Sequence, residues 1–126
     1  MNKTKVTKAL VLGDGSWGTT LACVQTTLWS AFPEQSQELR DKGVNERFLP
    51  GVPLPEDLAF SADPFSAAEG AQLVISVVPT QYLRSVAMRF EDALPGNLPI
   101  VSATKGLEVE TFDSPTAILK SVLGER

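Results

Sequence analysis

Three glycines, at positions 13, 15 and 18, follow a short apolar run and precede a segment with helical character. Gly13 permits a tight turn, Gly15 allows a pyrophosphate to approach the backbone, and Gly18 allows the following helix to lie close to a sheet. Free N–H groups at the start of that helix, around Ser16 and Trp17, then face the phosphates. The spacing predicts a dinucleotide-binding turn, and the alternative is a glycine-rich turn that binds nothing.

Two further candidate residues follow predicted strands. Lys105 stands just after the apolar residues 100–103, and Tyr82 follows residues 73–78. Ligands of parallel sheets bind outside the carboxyl ends of the strands, so we expect both residues to meet the glycine turn in one crevice. In that crevice Lys105 would supply a positive charge that binds phosphate, and the Tyr82 ring would stack on the nicotinamide or ribose. The alternative for Lys105 is an ordinary surface lysine. The alternative for Tyr82, and equally for Trp17, is an aromatic ring that only covers the core.

The position that usually selects between NAD and NADP carries no charge in this sequence. An acidic residue about twenty positions after the glycines normally holds the ribose hydroxyl. Here the second predicted strand is followed by Ser30, Ala31 and Phe32. Charge at this position therefore does not distinguish NAD from NADP. Asp14 would repel phosphate, so we expect its side chain to turn outward.

The elements that must position these loops alternate between strands and helices, which predicts a doubly wound, mainly parallel α/β sheet in a single domain of residues 1–126. The helix after Gly15 is short, because a crossover usually needs a dozen or more residues and a second strand already begins at residue 24. Proline content argues against a regular helix or a central strand over 45–55 and predicts a structured loop there. Thr80 and Ser114 are predicted helix N-caps, and Gly43 a C-cap. The predicted strands are 10–12, 24–29, 58–61, 73–78 and 100–103.

Composition excludes several classes of function. The net charge of −4, without a basic stripe, argues against nucleic acid as a partner. The chain has no histidine, which removes the usual zinc ligand and the usual general base, and we predict no metal site. No apolar run is long enough for a membrane span, and the amino terminus leads into a strand, so we expect no membrane insertion and a cytoplasmic protein. The single cysteine, Cys23, is expected to pack as a small hydrophobe.

Four ordered segments resemble the NAD(P)-dependent glycerol-3-phosphate dehydrogenases. Residues 13–22 resemble the opening motif of that family, and residues 47–51 are similar to its Y-L-P-G loop. Residues 78–82 resemble its third loop, and residues 102–108 its S-x-x-K-G segment. The matches cover nearly the whole chain.

The resemblance implies roles for individual residues. Ser16 and Trp17 line the cofactor phosphates, Tyr82 lies beside the cofactor, and Lys105 contacts both the cofactor and the substrate phosphate. The implied reaction is hydride transfer between NAD(P)H and dihydroxyacetone phosphate, which gives sn-glycerol 3-phosphate for phospholipid synthesis.

The general-base lysine and the substrate-binding arginine of the family lie in a helical C-terminal domain, beyond Arg126. We therefore expect no catalytic residue in these 126 residues and no turnover by them alone. One alternative is a non-enzymatic nucleotide-sensing or interaction domain, and a weaker one is another two-domain reductase. The short first crossover predicts an uncovered apolar sheet face, and hence self-association into homo-oligomers.

Overall fold

The computed structural model describes residues 5–22 and 26–125. The chain forms a five-stranded sheet in the order β5-β2-β1-β6-β7, in which every pairing is parallel. A separate two-stranded antiparallel sheet pairs β3 with β4. The predicted doubly wound α/β class is confirmed. The strands are β1 Ala9–Leu12, β2 Thr26–Trp29, β3 Val44–Asn45, β4 Leu49–Pro53, β5 Ala59–Ser61, β6 Leu73–Ser76 and β7 Ile100–Ser102, and the helices are α1 Ser16–Leu21, α2 Pro33–Lys42, α3 Pro64–Ala68, α4 Thr80–Arg89 and α5 Pro115–Leu123.

The innermost strands are the most apolar ones. All four residues of β1 are buried, and β1 lies between β2 and β6 in unbroken register. β6 lies between β1 and β7, an interior position that suits the apolar and β-branched run at residues 73–78. Inner parallel strands are covered on both faces, so a continuous apolar run is what they require.

One face of the sheet carries the larger core. Trp29 and Phe90 are fully buried there and make an edge-to-face contact, with ring centroids 5.0 Å apart. Side chains of α3, α4 and α5 complete this core, including those of Leu83, Val86 and Ile118. The Ser114 side chain caps α5, as predicted, by accepting a hydrogen bond from the N–H of Ala117.

The opposite face is thinly covered because α1 has only six residues. Its core consists of Val11, Ala22, Leu28, Leu39 and Leu58. Leu28, Val11, Ile75 and Val101 are paired across neighbouring strands, so their side chains lie side by side on this face of the sheet. Val101, at the end of this row of side chains, is 51% exposed. The predicted short first helix is thus confirmed. The crossover that contains it is still long enough for β2 to pair with β1 in parallel. The start of the second strand, predicted at residue 24, lies outside the described residues.

Two local predictions were wrong. Residues 45–55, predicted as a loop, contribute Asn45 to β3 and all of β4, although neither strand is part of the central sheet. Their prolines are tolerated because these strands form a separate hairpin with few ladder hydrogen bonds to lose. Thr80 is not the N-cap of α4, because Pro79 occupies that position and Thr80 is the first helical residue. The predicted αL C-cap at Gly43 is confirmed, with φ of 61°.

None of the described helices combines the length and apolar character needed to cross a membrane.

Candidate functional site

The glycine turn is held against the neighbouring strands on both sides. Gly13 has φ of 108°, a conformation that favours glycine, and its N–H donates to the Trp29 carbonyl at 3.1 Å. A Cβ at Gly13 would lie 3.3 Å from the Val77 backbone. A Cβ at Gly18 would lie 2.0 Å from the Gly13 carbonyl oxygen. The first and third glycines are therefore required by the packing of the turn on itself and on the loop after β6.

Gly15 differs from the other two glycines of the turn. It has ordinary extended backbone angles, with φ of −63°, and a Cβ built on it would meet nothing within 4 Å. Gly15 is the N-cap of α1, and no side chain caps this helix. Open space and uncapped N–H groups thus coincide at the start of α1, which is where an anionic group can approach the backbone.

The loops after β1, β6 and β7 lie at one edge of the sheet. The Val77 N–H donates to the Leu12 carbonyl at 2.9 Å. The Thr104 hydroxyl donates to the Val78 carbonyl at 2.9 Å. The Thr80 hydroxyl, which we predicted to cap α4, instead donates to the Lys105 carbonyl. The side chain of Thr80 therefore joins the second and third loops, since Pro79 already serves as the cap residue.

Lys105 combines a fixed backbone with an unpaired ammonium group. Its carbonyl is held by Thr80, and Gly106, with φ of 89°, turns the chain directly after it. The side chain is exposed, and its ammonium has no ion pair or hydrogen bond to any part of the chain that the structure describes. An ammonium group without a partner in the described part of the protein is free to bind an anion.

Trp17 and Tyr82 are both exposed at this edge, by 54% and 58%. Ser16, the first residue of α1, is exposed as well. Neither residue is a member of the two buried apolar clusters of the sheet. Trp17 lies in the first turn of α1 and Tyr82 in the first turn of α4.

Asn45 is a site residue that sequence reasoning missed. It is fully buried, and its amide group donates to the Asp14 carbonyl and to the Thr19 hydroxyl, both at 2.8 Å. Its oxygen accepts from the N–H of Phe48 at 3.2 Å and from Gln35 at 3.4 Å. Asn45 thus joins the glycine turn to α2 and to the β3–β4 hairpin. No spacing in the sequence indicates this contact, because it joins segments about thirty residues apart.

Asp14 turns its carboxylate to the end of β2. Oδ2 accepts a hydrogen bond from the Ser30 hydroxyl at 2.8 Å. We expected the side chain to turn outward, and it is instead half-buried with this specific partner. The residues at the end of β2 are uncharged, so Asp14 supplies the negative charge that this strand end lacks.

Arg84, on α4, holds the segment that follows Lys105. Its guanidinium donates to both carboxylate oxygens of Glu108, at 3.0 and 2.7 Å, and to Asp113 at 3.3 Å. It also donates to the Ser121 hydroxyl on α5 at 3.0 Å. This bidentate pair, together with the Thr111 hydroxyl, lowers the pKa of Glu108 from 4.5 to about 2.

The stability of the domain should depend on this pair at acidic pH. A carboxyl whose folded pKa is lowered stabilises the fold fully above its unfolded pKa, near 4.5, and loses that contribution as pH falls towards about 2. We expect the free energy of unfolding to fall over this range more steeply in the native chain than in Glu108→Gln. Urea denaturation at a series of pH values measures the free energy of unfolding of both proteins. If the free energy of unfolding depended equally on pH in the two proteins, the Arg84–Glu108 pair would not be the source of this stability.

Comparison with known proteins identifies the family. Residues 8–126 match the family model described as NAD-dependent glycerol-3-phosphate dehydrogenase N-terminus. The chain belongs to this family. A glycerol-3-phosphate dehydrogenase [NAD(P)+] of Geobacter sp. (strain M21) is 43% identical in an alignment of length 122 that covers 92% of this chain and 36% of the relative. A glycosomal glycerol-3-phosphate dehydrogenase [NAD(+)] of Trypanosoma brucei brucei is 34% identical in an alignment of length 131 that covers 95% of this chain and 37% of the relative.

Solved structures of the family agree with the fold. Glycerol-3-phosphate dehydrogenase from Coxiella burnetii superposes with a TM-score of 0.87 at 30% identity, over 95% of this chain and 38% of that one. The enzyme from Saccharomyces cerevisiae, at 22% identity and a TM-score of 0.82, supports the fold alone. The fold is thus the Rossmann-like fold of the N-terminal domains in this family. The chain spans about 36% of the length of the curated relatives that it matches.

Proposed function

We propose that the chain is the cofactor-binding domain of a dehydrogenase that interconverts dihydroxyacetone phosphate and sn-glycerol 3-phosphate with NAD(H) or NADP(H), in glycerophospholipid synthesis. The observation that carries the proposal is the open space at Gly15, which lies at the uncapped start of α1. Family membership supports the choice of reaction. The dinucleotide, when bound, supplies or accepts the hydride.

The residues of this chain bind and orient the dinucleotide in this proposal. Gly13 and Gly18 shape the turn, and Gly15 admits the pyrophosphate to the N–H groups near Ser16 and Trp17. Tyr82 offers a ring face to the cofactor, and Lys105 offers its ammonium to the cofactor and to the substrate phosphate. The fit is supported by the exposure of Tyr82 and Lys105 and by the unpaired state of the ammonium among the described residues.

These 126 residues leave the proposed site open along one edge. The side chains of Trp17, Tyr82 and Lys105 are all exposed there, so no described element excludes water from a bound substrate. We therefore propose binding without turnover for this chain by itself. The cytoplasmic location and the formation of homo-oligomers stay predictions, and one relative is named glycosomal.

Titration with NADH and NADPH, followed by tryptophan fluorescence, tests the proposal. We expect saturable binding of at least one of the two, and no oxidation of NADH when dihydroxyacetone phosphate is added. Lys105→Ala should weaken binding by about 1 kcal/mol or more, roughly fivefold or greater, because a charge-assisted contact is lost. Lys42→Ala is the matched control, since it removes the same charge from an exposed pair with Glu38 on α2.

Failure to bind either dinucleotide at millimolar concentration would refute the proposed function. Turnover of dihydroxyacetone phosphate would refute the claim that the chain only binds. Equal weakening in Lys105→Ala and Lys42→Ala would remove Lys105 from the site and indicate a general effect of charge.

A further inference from the structure

Asp14 is a residue of the glycine turn whose charged group lies at a different strand. Its carboxylate is hydrogen-bonded to Ser30, the first residue after β2. In dinucleotide-binding sheets of this kind, an acidic side chain at the end of the second strand accepts a hydrogen bond from the adenosine ribose 2′-hydroxyl. The strand end itself provides Ser30, Ala31 and Phe32, none of which is acidic.

The carboxylate is fixed in place from both sides. Ser30 is 1% exposed, its N–H donates to the Ser61 carbonyl at 3.0 Å, and its hydroxyl also accepts from the N–H of Phe32 at 3.2 Å. The Asp14 carbonyl accepts hydrogen bonds from Asn45 at 2.8 Å and from the Thr19 hydroxyl at 3.2 Å. Neither the backbone nor the side chain of Asp14 is therefore free to swing away.

One carboxylate oxygen remains available for a ligand. Ser30 donates to Oδ2, and no donor in residues 5–22 and 26–125 meets Oδ1. A ribose hydroxyl can donate a hydrogen bond to such an oxygen. A 2′-phosphate has no hydrogen to donate in its ionised form and carries charge of the same sign, so it is repelled.

We propose that Asp14, held by Ser30, is the residue that selects NAD(H) over NADP(H) in this protein. This inference rests on the proposed function, because it concerns the adenosine end of the same dinucleotide. The two dinucleotides share the pyrophosphate and differ at the 2′ position, so the ratio of their affinities isolates the effect of this carboxylate from the effect of the glycine turn.

Arg89 is the nearby cation that would favour NADP(H) over NAD(H). Its guanidinium lies over the Trp29 ring, 4.8 Å from the ring centroid, and donates to the Ala31 carbonyl at 3.4 Å. Both interactions hold it against the protein. A 2′-phosphate would have to draw it away from the ring and the carbonyl, whereas the carboxylate of Asp14 is already in position.

The test compares the affinities for NADH and NADPH of the native 126-residue chain with those of Asp14→Asn. Asparagine has the same shape and can still accept the hydrogen bond of Ser30, so circular dichroism should be unchanged. We expect the native chain to bind NADH at least tenfold more tightly than NADPH, and the variant to bind the two within threefold of each other. Asp92→Asn, an exposed carboxylate on the turn after α4, is the control that removes the same charge and keeps the native ratio.

A native chain that binds NADH and NADPH equally also overturns this inference. A native preference for NADH that persists in Asp14→Asn overturns this inference and leaves the proposed function standing. A native preference for NADPH that is lost in Arg89→Gln overturns it in favour of Arg89. Binding of neither dinucleotide overturns the proposed function and this inference together.

Discussion

Replacing Gly18 by alanine should destabilise the domain by about 3 kcal/mol or more, a large part of the stability of an ordinary domain. A Cβ at this position would lie 2.0 Å from the Gly13 carbonyl oxygen and 3.1 Å from a methyl group of Val77. The nearer contact is with backbone, which cannot yield as the end of a side chain can. The glycine turn and α1 must then separate. Urea denaturation followed by circular dichroism measures the change.

Gly15→Ala is the matched control, since it adds the same methyl group three residues earlier. A Cβ there meets nothing within 4 Å, and φ is −63°. We expect a loss of no more than about 1 kcal/mol, the usual difference between alanine and a better N-cap residue. Binding of NADH should nevertheless fall, because the methyl group occupies the space proposed for the pyrophosphate. Similar stability losses in the two variants would contradict the packing described for Gly18.

Asn45→Ala should cost about 2–4 kcal/mol of folding free energy, because it leaves several buried polar groups without partners. The N–H of Phe48 and the side chain of Gln35 lose their acceptor, and the Asp14 carbonyl loses its shortest donor. The glycine turn also loses its connection to α2, so the affinity for dinucleotide should fall along with stability. Denaturation and NADH titration of the same variant measure the two effects.

Gln37→Ala provides the comparison for Asn45, because Gln37 donates to Asp41 and accepts from Arg40 on the exposed face of α2. We expect its stability to stay within about 0.5 kcal/mol of the native chain, as is usual for surface substitutions. If Asn45→Ala destabilised the domain no more than this control, the buried network would contribute nothing measurable and its proposed positioning role would be wrong.

The parts of the fold that were predictable depend on short-range properties of the chain. The apolar run in β6, the αL residue Gly43 after α2, and the cap at Ser114 each follow from neighbouring residues and the backbone freedom of their types. Thr80 shows where such reasoning fails. Its type suits an N-cap, but the carbonyl of Lys105, 25 residues away in sequence, is the acceptor of its hydroxyl.

The amino-acid sequence by itself determined the class of the sheet, the glycine turn and the order of the loops that surround it. Spacing and composition suffice for these features because strand burial, turn geometry and helix ends are local. Only the tertiary structure placed Asn45 under the turn and brought the carboxylate of Asp14 to Ser30. Those contacts arise from the parallel pairing of β1 with β2 and from the packing of the β3–β4 hairpin. Both bring together residues that are distant in sequence, so neither can be predicted from one segment of the chain.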